Sequence, residues 1–166
     1  MAGELILNGC RIADDEPCYV IAEIGSNHGG DLKGAQDLIR MAAHAGASAV
    51  KFQKRDNATL YTQALLNAPY QNEHSYGATY GEHRTALELS QSDLGRLQEL
   101  AQSLSCTLFS TVFDEPSADV LAALDTPAFK IASGGLTDHA LLRYVAGFGK
   151  PVILSTGGGT FDDIFR

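Results

Sequence analysis

The chain has 166 residues, 45% of them hydrophobic, and a formal net charge of -8. That length and apolar content suffice for one domain with a real core. The acidic balance, with no basic run, argues against a nucleic-acid or anionic-membrane binder, and no apolar stretch approaches the roughly 20 residues needed to span a bilayer. The start, Met1-Ala2-Gly3-Glu4-Leu5, carries no charged leader followed by an apolar block. No signal peptide is therefore expected, and a cytoplasmic location is. Cys10, Cys18 and Cys106 are odd in number and form no C-x-x-C. They read as reduced small hydrophobes rather than as zinc ligands.

In chain order, Glu4 to Ile12 alternates around Asn8-Gly9, the strongest local hairpin signal. Cys18 to Ala22 reads as a strand ending at Glu23, and Gly25 to Gly30 as a loop. Asp31 suits the N-cap of a helix to about Ala45, with Ala35, Leu38, Ile39, Ala42 and Ala43 on one face and Gly46 as its stop. Ala47 to Gln53 is a second strand. The polar segment from Lys54 to about Glu88 is rich in Tyr, Asn, Gly and His. It reads as a long loop, a functional lid or a disordered stretch. A helix resumes near Ser90, with Asp93 completing a capping-box start. Strands follow at Cys106 to Ser110, Ala128 to Ala132 and Pro151 to Leu154. Between them lie helices marked by Pro116 in a first turn and by Leu141, Leu142 and Val145. A Gly157-Gly158-Gly159 loop precedes a last helix starting at Thr160.

The pattern is a hairpin and about five βα units, an α/β arrangement with a parallel sheet. Two architectures compete: an open doubly wound sheet and a TIM-type (β/α) barrel, which in complete form needs about 250 residues. In either, the carboxyl ends of the strands share one side. Those ends carry Glu23, then Lys51 and Gln53, then Ser110 and Thr111, then Lys130 and Ser133, then Ser155 and Thr156. Two lysines with several hydroxyls beside glycine turns suit a phosphate-bearing or multiply anionic ligand. The bland alternative is that Lys51 and Lys130 snorkel into water and that the hydroxyls only serve turns. His28, His44, His74, His83 and His139 have no metal-ligand spacing, and no Ser-His-Asp or Cys-His set is legible.

Five ordered motifs resemble one family. They are Ile21-Ala22-Glu23-Ile24-Gly25-Ser26-Asn27-His28, Ala49-Val50-Lys51-Phe52-Gln53, Ser110-Thr111-Val112-Phe113-Asp114, Phe129-Lys130-Ile131-Ala132-Ser133-Gly134 and the run Gly149 to Gly157. Tyr80-Gly81-Glu82-His83-Arg84 adds a sixth. Together they resemble the sialic acid synthase (N-acetylneuraminate synthase) family over essentially the whole chain.

The resemblance implies a TIM barrel, here only its N-terminal part, that condenses phosphoenolpyruvate with an N-acetylated hexosamine, typically N-acetylmannosamine, and releases phosphate. It implies phosphoenolpyruvate binding by Lys51, Thr111, Lys130, Ser133 and Ser155, with Glu23, Lys51 and Lys130 catalytic. It also implies a divalent metal, Mn²⁺ or Mg²⁺, that polarises the sugar aldehyde, and a homodimer in the full-length protein. Three departures follow from the family pattern. Gly135 stands where an acidic residue is usual, the metal-binding histidines are expected on later strands, and the C-terminal antifreeze-like domain is not in the sequence. The 166 residues alone are therefore expected to be inactive. The alternatives are a synthase for a legionaminic, pseudaminic or spore-coat sugar, or a non-catalytic remnant that binds an anion or associates with other chains.

Overall fold

The computed structural model describes residues 3–165. Met1 and Ala2, which belong to the leader expectation, and Arg166, to which the last helix is expected to run, lie outside them. Strands β1 (Leu5–Leu7) and β2 (Cys10–Ile12) form an antiparallel hairpin. Asn8 and Gly9 turn it with φ of 49° and 79°, positive at both central positions as a type I′ turn demands. The hairpin shares a cleft of about 380 Å³ with Tyr19, Ser48 and Thr107, so it lies against the amino ends of the main strands.

Strand β3 (Ile21–Gly25) starts and ends later than the sequence pattern suggests, and Gly25 belongs to it rather than to the following loop. Helix α1 (Leu32–His44) is capped by Asp31, whose carboxylate accepts from the Gly34 amide at 2.7 Å. After β4 (Ala49–Lys54) comes the segment expected to be a long loop. It is instead built from three short helices: α2 (Asn57–Leu60), α3 (Gln63–Leu66) and α4 (Tyr80–Ala86). Each is started by a side-chain cap, from Asp56, Thr62 and Thr79 respectively, and each is too short to display an apolar period. Tyr80 packs edge-on against Tyr61 and Tyr70, with centroids 5.3 and 5.5 Å apart, giving the segment an aromatic core of its own. Its two ends are tied together where Lys54 Nζ donates to Glu88 at 2.8 Å.

The remaining elements are α5 (Gln91–Ser103), β5 (Thr107–Val112), α6 (Glu115–Ala123), β6 (Phe129–Ile131), a short 3-10 turn at Ser133–Gly135, α7 (His139–Ala146), β7 (Val152–Leu154) and α8 (Phe161–Ile164). The expected capping box of Ser90 and Asp93 opens α5.

Strands β3 to β7 form one parallel sheet in the order β3-β4-β5-β6-β7. Every neighbour is the next strand in sequence, whereas a doubly wound sheet reverses its order partway. Side chains alternate across a strand, and the apolar core draws one parity: Val50 and Phe52 of β4, Leu108 and Val112 of β5, Phe129 and Ile131 of β6. These pack against Ile39 of α1, Leu94 and Leu97 of α5, Leu121 of α6 and Val145 of α7. All four helices therefore cover one face of the sheet. Consecutive parallel strands with helices on the outer face form an arc of a barrel wall, and the barrel is incomplete. Its margins carry exposed apolar residues, Val20 and Ile21 at one and Val152 and Leu154 at the other.

Candidate active site

The inner face of the arc takes the other parity of each strand. Parallel pairing puts Glu23 level with Lys51, and aligns Gln53, Thr111 and Lys130 along a second row. Ser155 follows the last residue of β7, where its amide donates to the Ile131 carbonyl at 3.1 Å. Residues far apart in sequence thus converge on one surface because the register is fixed by the buried parity behind them.

Lys51 Nζ donates to Thr111 Oγ1 at 2.8 Å and forms an ion pair with Glu23. Lys130 Nζ donates to Ser155 Oγ and to the Ile131 carbonyl, both at 2.6 Å. Among the described residues Lys130 touches no carboxylate. Burial pulls its pKa below the usual lysine value, the Lys51 charge pulls it down further, and Glu23 opposes both. The two ammonium groups are therefore near enough to repel, and the one carboxylate that acts on both, Glu23, is paired with Lys51. Such a surface favours a ligand carrying more than one negative charge.

Of the six residues that the resemblance assigns to the site, Glu23, Lys51 and Thr111 are joined in one set of contacts and Lys130 and Ser155 in a second. Ser133 is exposed in the 3-10 turn, facing Gly157 across the mouth of the site, and its hydroxyl makes no hydrogen bond among the described residues. Gly135 closes the same turn. A Cβ there would stand 2.9 Å from Cγ2 of Ile131, so Ile131 must shift before any side chain fits.

The sequence assigns no role in the site to two residues near it, although Arg84 closes the Tyr80 to Arg84 motif. Arg55, just past β4, is buried with its guanidinium 3.9 Å over the Phe113 ring, and donates to Gln53 Oε1 at 2.7 Å. Arg84 of α4 donates to the Tyr80 hydroxyl at 2.8 Å. The segment that carries them is anchored to the barrel wall. The Asp56 amide donates to Asp114 at 2.8 Å, and Asp114 also caps α6. Gly30, at φ +80°, lies so close to the end of α4 that a Cβ would collide with the Ala86 carbonyl.

Residues 38–166 match the NeuB family. The chain belongs to that family. N-acetylneuraminate-9-phosphate synthase of Homo sapiens is 37% identical over 154 residues, which are 93% of this chain and 43% of the human protein. N,N'-diacetyllegionaminic acid synthase of Legionella pneumophila is 43% identical over 141 residues, 84% of this chain and 40% of the relative. Among solved structures, the N-acetylneuraminic acid synthetase of Leptospira borgpetersenii superposes with a TM-score of 0.83 at 30% identity, covering 99% of this chain and 53% of that one. The chain thus spans about half or less of the length of the NeuB-family relatives it matches.

The residues of this NeuB-family chain do not fit a metal centre: among the described residues no three His, Cys, Asp or Glu side chains come together to hold an ion. His28 is buried, and its Nδ1 accepts from the Gly30 amide, which leaves that nitrogen committed. Burial lowers its pKa and favours the neutral ring. No helix among the described residues is long and apolar enough to cross a membrane.

Proposed function

We propose that the inner face binds phosphoenolpyruvate and that the chain is the phosphoenolpyruvate-binding part of a sialic-acid-type synthase. One observation carries the reading: Lys51 and Lys130 share a surface with a single carboxylate and two hydroxyls, Thr111 and Ser155. Phosphoenolpyruvate brings a phosphate and a carboxylate, which offset both ammonium charges. Ser133 closes over the ligand from the 3-10 turn, its hydroxyl being uncommitted. In the reaction, C3 of phosphoenolpyruvate attacks the aldehyde carbon of an N-acetylated hexosamine, water adds at C2, and phosphate leaves. The two lysines stabilise negative charge as it grows on the departing phosphate. Glu23, half-exposed and held on Lys51, fixes that lysine and is the carboxylate available to exchange a proton with the reacting water.

The remaining length of the relatives corresponds to nothing in this chain. We propose that it supplies the later strands, an antifreeze-like domain and a homodimer contact. A divalent metal, Mn²⁺ or Mg²⁺, takes its ligands there, and the steps above use only side chains present here. The 166 residues alone are then inactive. The amino-sugar partner and a cytoplasmic location are part of the same proposal. The relatives' names include both N-acetylneuraminate 9-phosphate and a legionaminic acid as products.

Calorimetric titration with phosphoenolpyruvate tests it. Saturable binding that falls at least about tenfold in Lys51→Ala and in Lys130→Ala is expected, from loss of a charge-assisted contact in each. Absence of binding, or binding indifferent to both substitutions, would leave an inert remnant.

A further inference from the structure

The outer face of the sheet is covered over β4 to β6 and open at β7. Phe129 and Ile131 of β6 are 0% exposed beneath the helices. Pairing sets Val152 level with Phe129 and Leu154 level with Ile131, so both share that outward parity. They are nevertheless 39% and 36% exposed. Helix α8, which follows β7, is only four residues long and leaves them open. On it Phe161 and Phe165 stack with centroids 6.4 Å apart, 78% and 83% exposed, and Ile164 is exposed as well. Five large apolar side chains thus meet solvent between residues 152 and 165, which is a margin of the fold rather than a scatter of single exposed residues.

The backbone at this margin is open too. β7 pairs with β6 alone, so its other edge is unpaired in the sheet. Val152-Ile153-Leu154 carries none of the charges, prolines or bulges that normally blunt an edge. The area points the same way. The chain exposes 9372 Å² at a mass of 17.7 kDa, whereas a folded monomer of that mass exposes about 7,900 Å². The excess of about 1,400 Å² is larger than the roughly 800 Å² that each partner gives up in a standard interface.

The strand is its own complement. A three-residue strand laid antiparallel to a copy of itself centres on Ile153 and sets each Val152 opposite a Leu154. The four outward side chains then form one apolar row, with the α8 phenylalanines available to cover it. A contact of this kind uses the same patch twice and closes at two copies.

We infer that the β7–α8 margin is the contact between two copies of this chain, joined about a two-fold axis by antiparallel pairing of β7. It is built on the outer face and the strand edge, so it does not rest on the phosphoenolpyruvate reading of the inner face. It is also separate from any contact supplied by the remaining length of the relatives.

Light scattering behind size exclusion on the whole chain tests it. The mass should be twice 17.7 kDa at about 10 µM and above, as even a modest interface of this size gives. Leu154→Asp and Phe161→Asp each place uncompensated charges in the contact and should weaken the dimer at least about tenfold. Both positions are exposed, so thermal unfolding should show that the variants stay folded. Val20→Asp, at the opposite margin, should leave the dimer intact. Ile153→Cys should cross-link to its own copy under oxidised glutathione, with the linkage mapped by mass spectrometry apart from Cys10, Cys18 and Cys106. A monomer at about 100 µM would overturn the inference and leave the margin for a different segment or partner. A species that keeps growing with concentration would overturn it as well, since the contact would then not close. So would a dimer indifferent to both Leu154→Asp and Phe161→Asp.

Discussion

The two faces of the five-stranded sheet are made from the same strands and obey opposite rules. Behind it, Val50, Phe52, Phe129 and Ile131 are wholly buried against helices. In front, alternating with them, stand Lys51, Gln53, Thr111 and Lys130. One residue of displacement along β6 separates a fully enclosed phenylalanine from a half-buried lysine. The outer face holds the fold together, and the inner face holds charge that the fold does not need. Substitutions on the two faces should therefore separate stability from binding.

The largest effect is expected behind the sheet. Phe52→Ala should cost about 3–5 kcal/mol in chemical unfolding, through lost transfer energy and the cavity left in the core. A loss below about 1 kcal/mol would mean that the strand parity is misassigned. Next comes the clamp at the base of the helical segment. Glu88→Ala leaves the Lys54 ammonium without its carboxylate and frees the Arg55 amide. It should cost about 2 kcal/mol and speed proteolytic cleavage between residues 55 and 87, read by mass spectrometry of limited digests. In front of the sheet, Thr111→Val removes the hydroxyl that accepts from Lys51. Stability should change by less than about 1 kcal/mol, while phosphoenolpyruvate affinity falls about fivefold to tenfold. The smallest effect is a pH dependence. Because the folded-state pKa of Lys130 is lowered, the unfolded chain keeps that proton to higher pH. The lysine's unfavourable contribution therefore fades as pH rises through the lowered value toward the ordinary one. Wild type should gain stability relative to Lys130→Met over that alkaline window, measured by unfolding at stepped pH.

Much of this division is legible in the sequence, for a physical reason. Strand alternation forces Lys51 and Lys130 onto the face opposite the apolar run, and parallel βα units put the strand ends on one side. The sequential strand order, which decides between barrel arc and doubly wound sheet, depends on pairing partners that periodicity does not specify. The helices between residues 57 and 86 escape notice because four to seven residues cannot show an amphipathic period. Their caps, and above all the Thr79-Glu82 capping box, were the available signal. Arg55 reads as an ordinary polar-loop arginine. Its burial is created by Phe113, which only the fold brings over it.

The most direct measurement compares wild type and Lys130→Met in chemical unfolding, each with and without phosphoenolpyruvate. Without ligand the variant should be as stable as wild type or slightly more so, since a partly desolvated charge has been replaced by an apolar chain. With ligand at a hundred times its dissociation constant, wild type should gain about 2.7 kcal/mol and the variant almost nothing. A variant that is clearly less stable on its own, yet still stabilised by phosphoenolpyruvate as wild type is, would contradict the claim that Lys130 is held on the inner face for an anion.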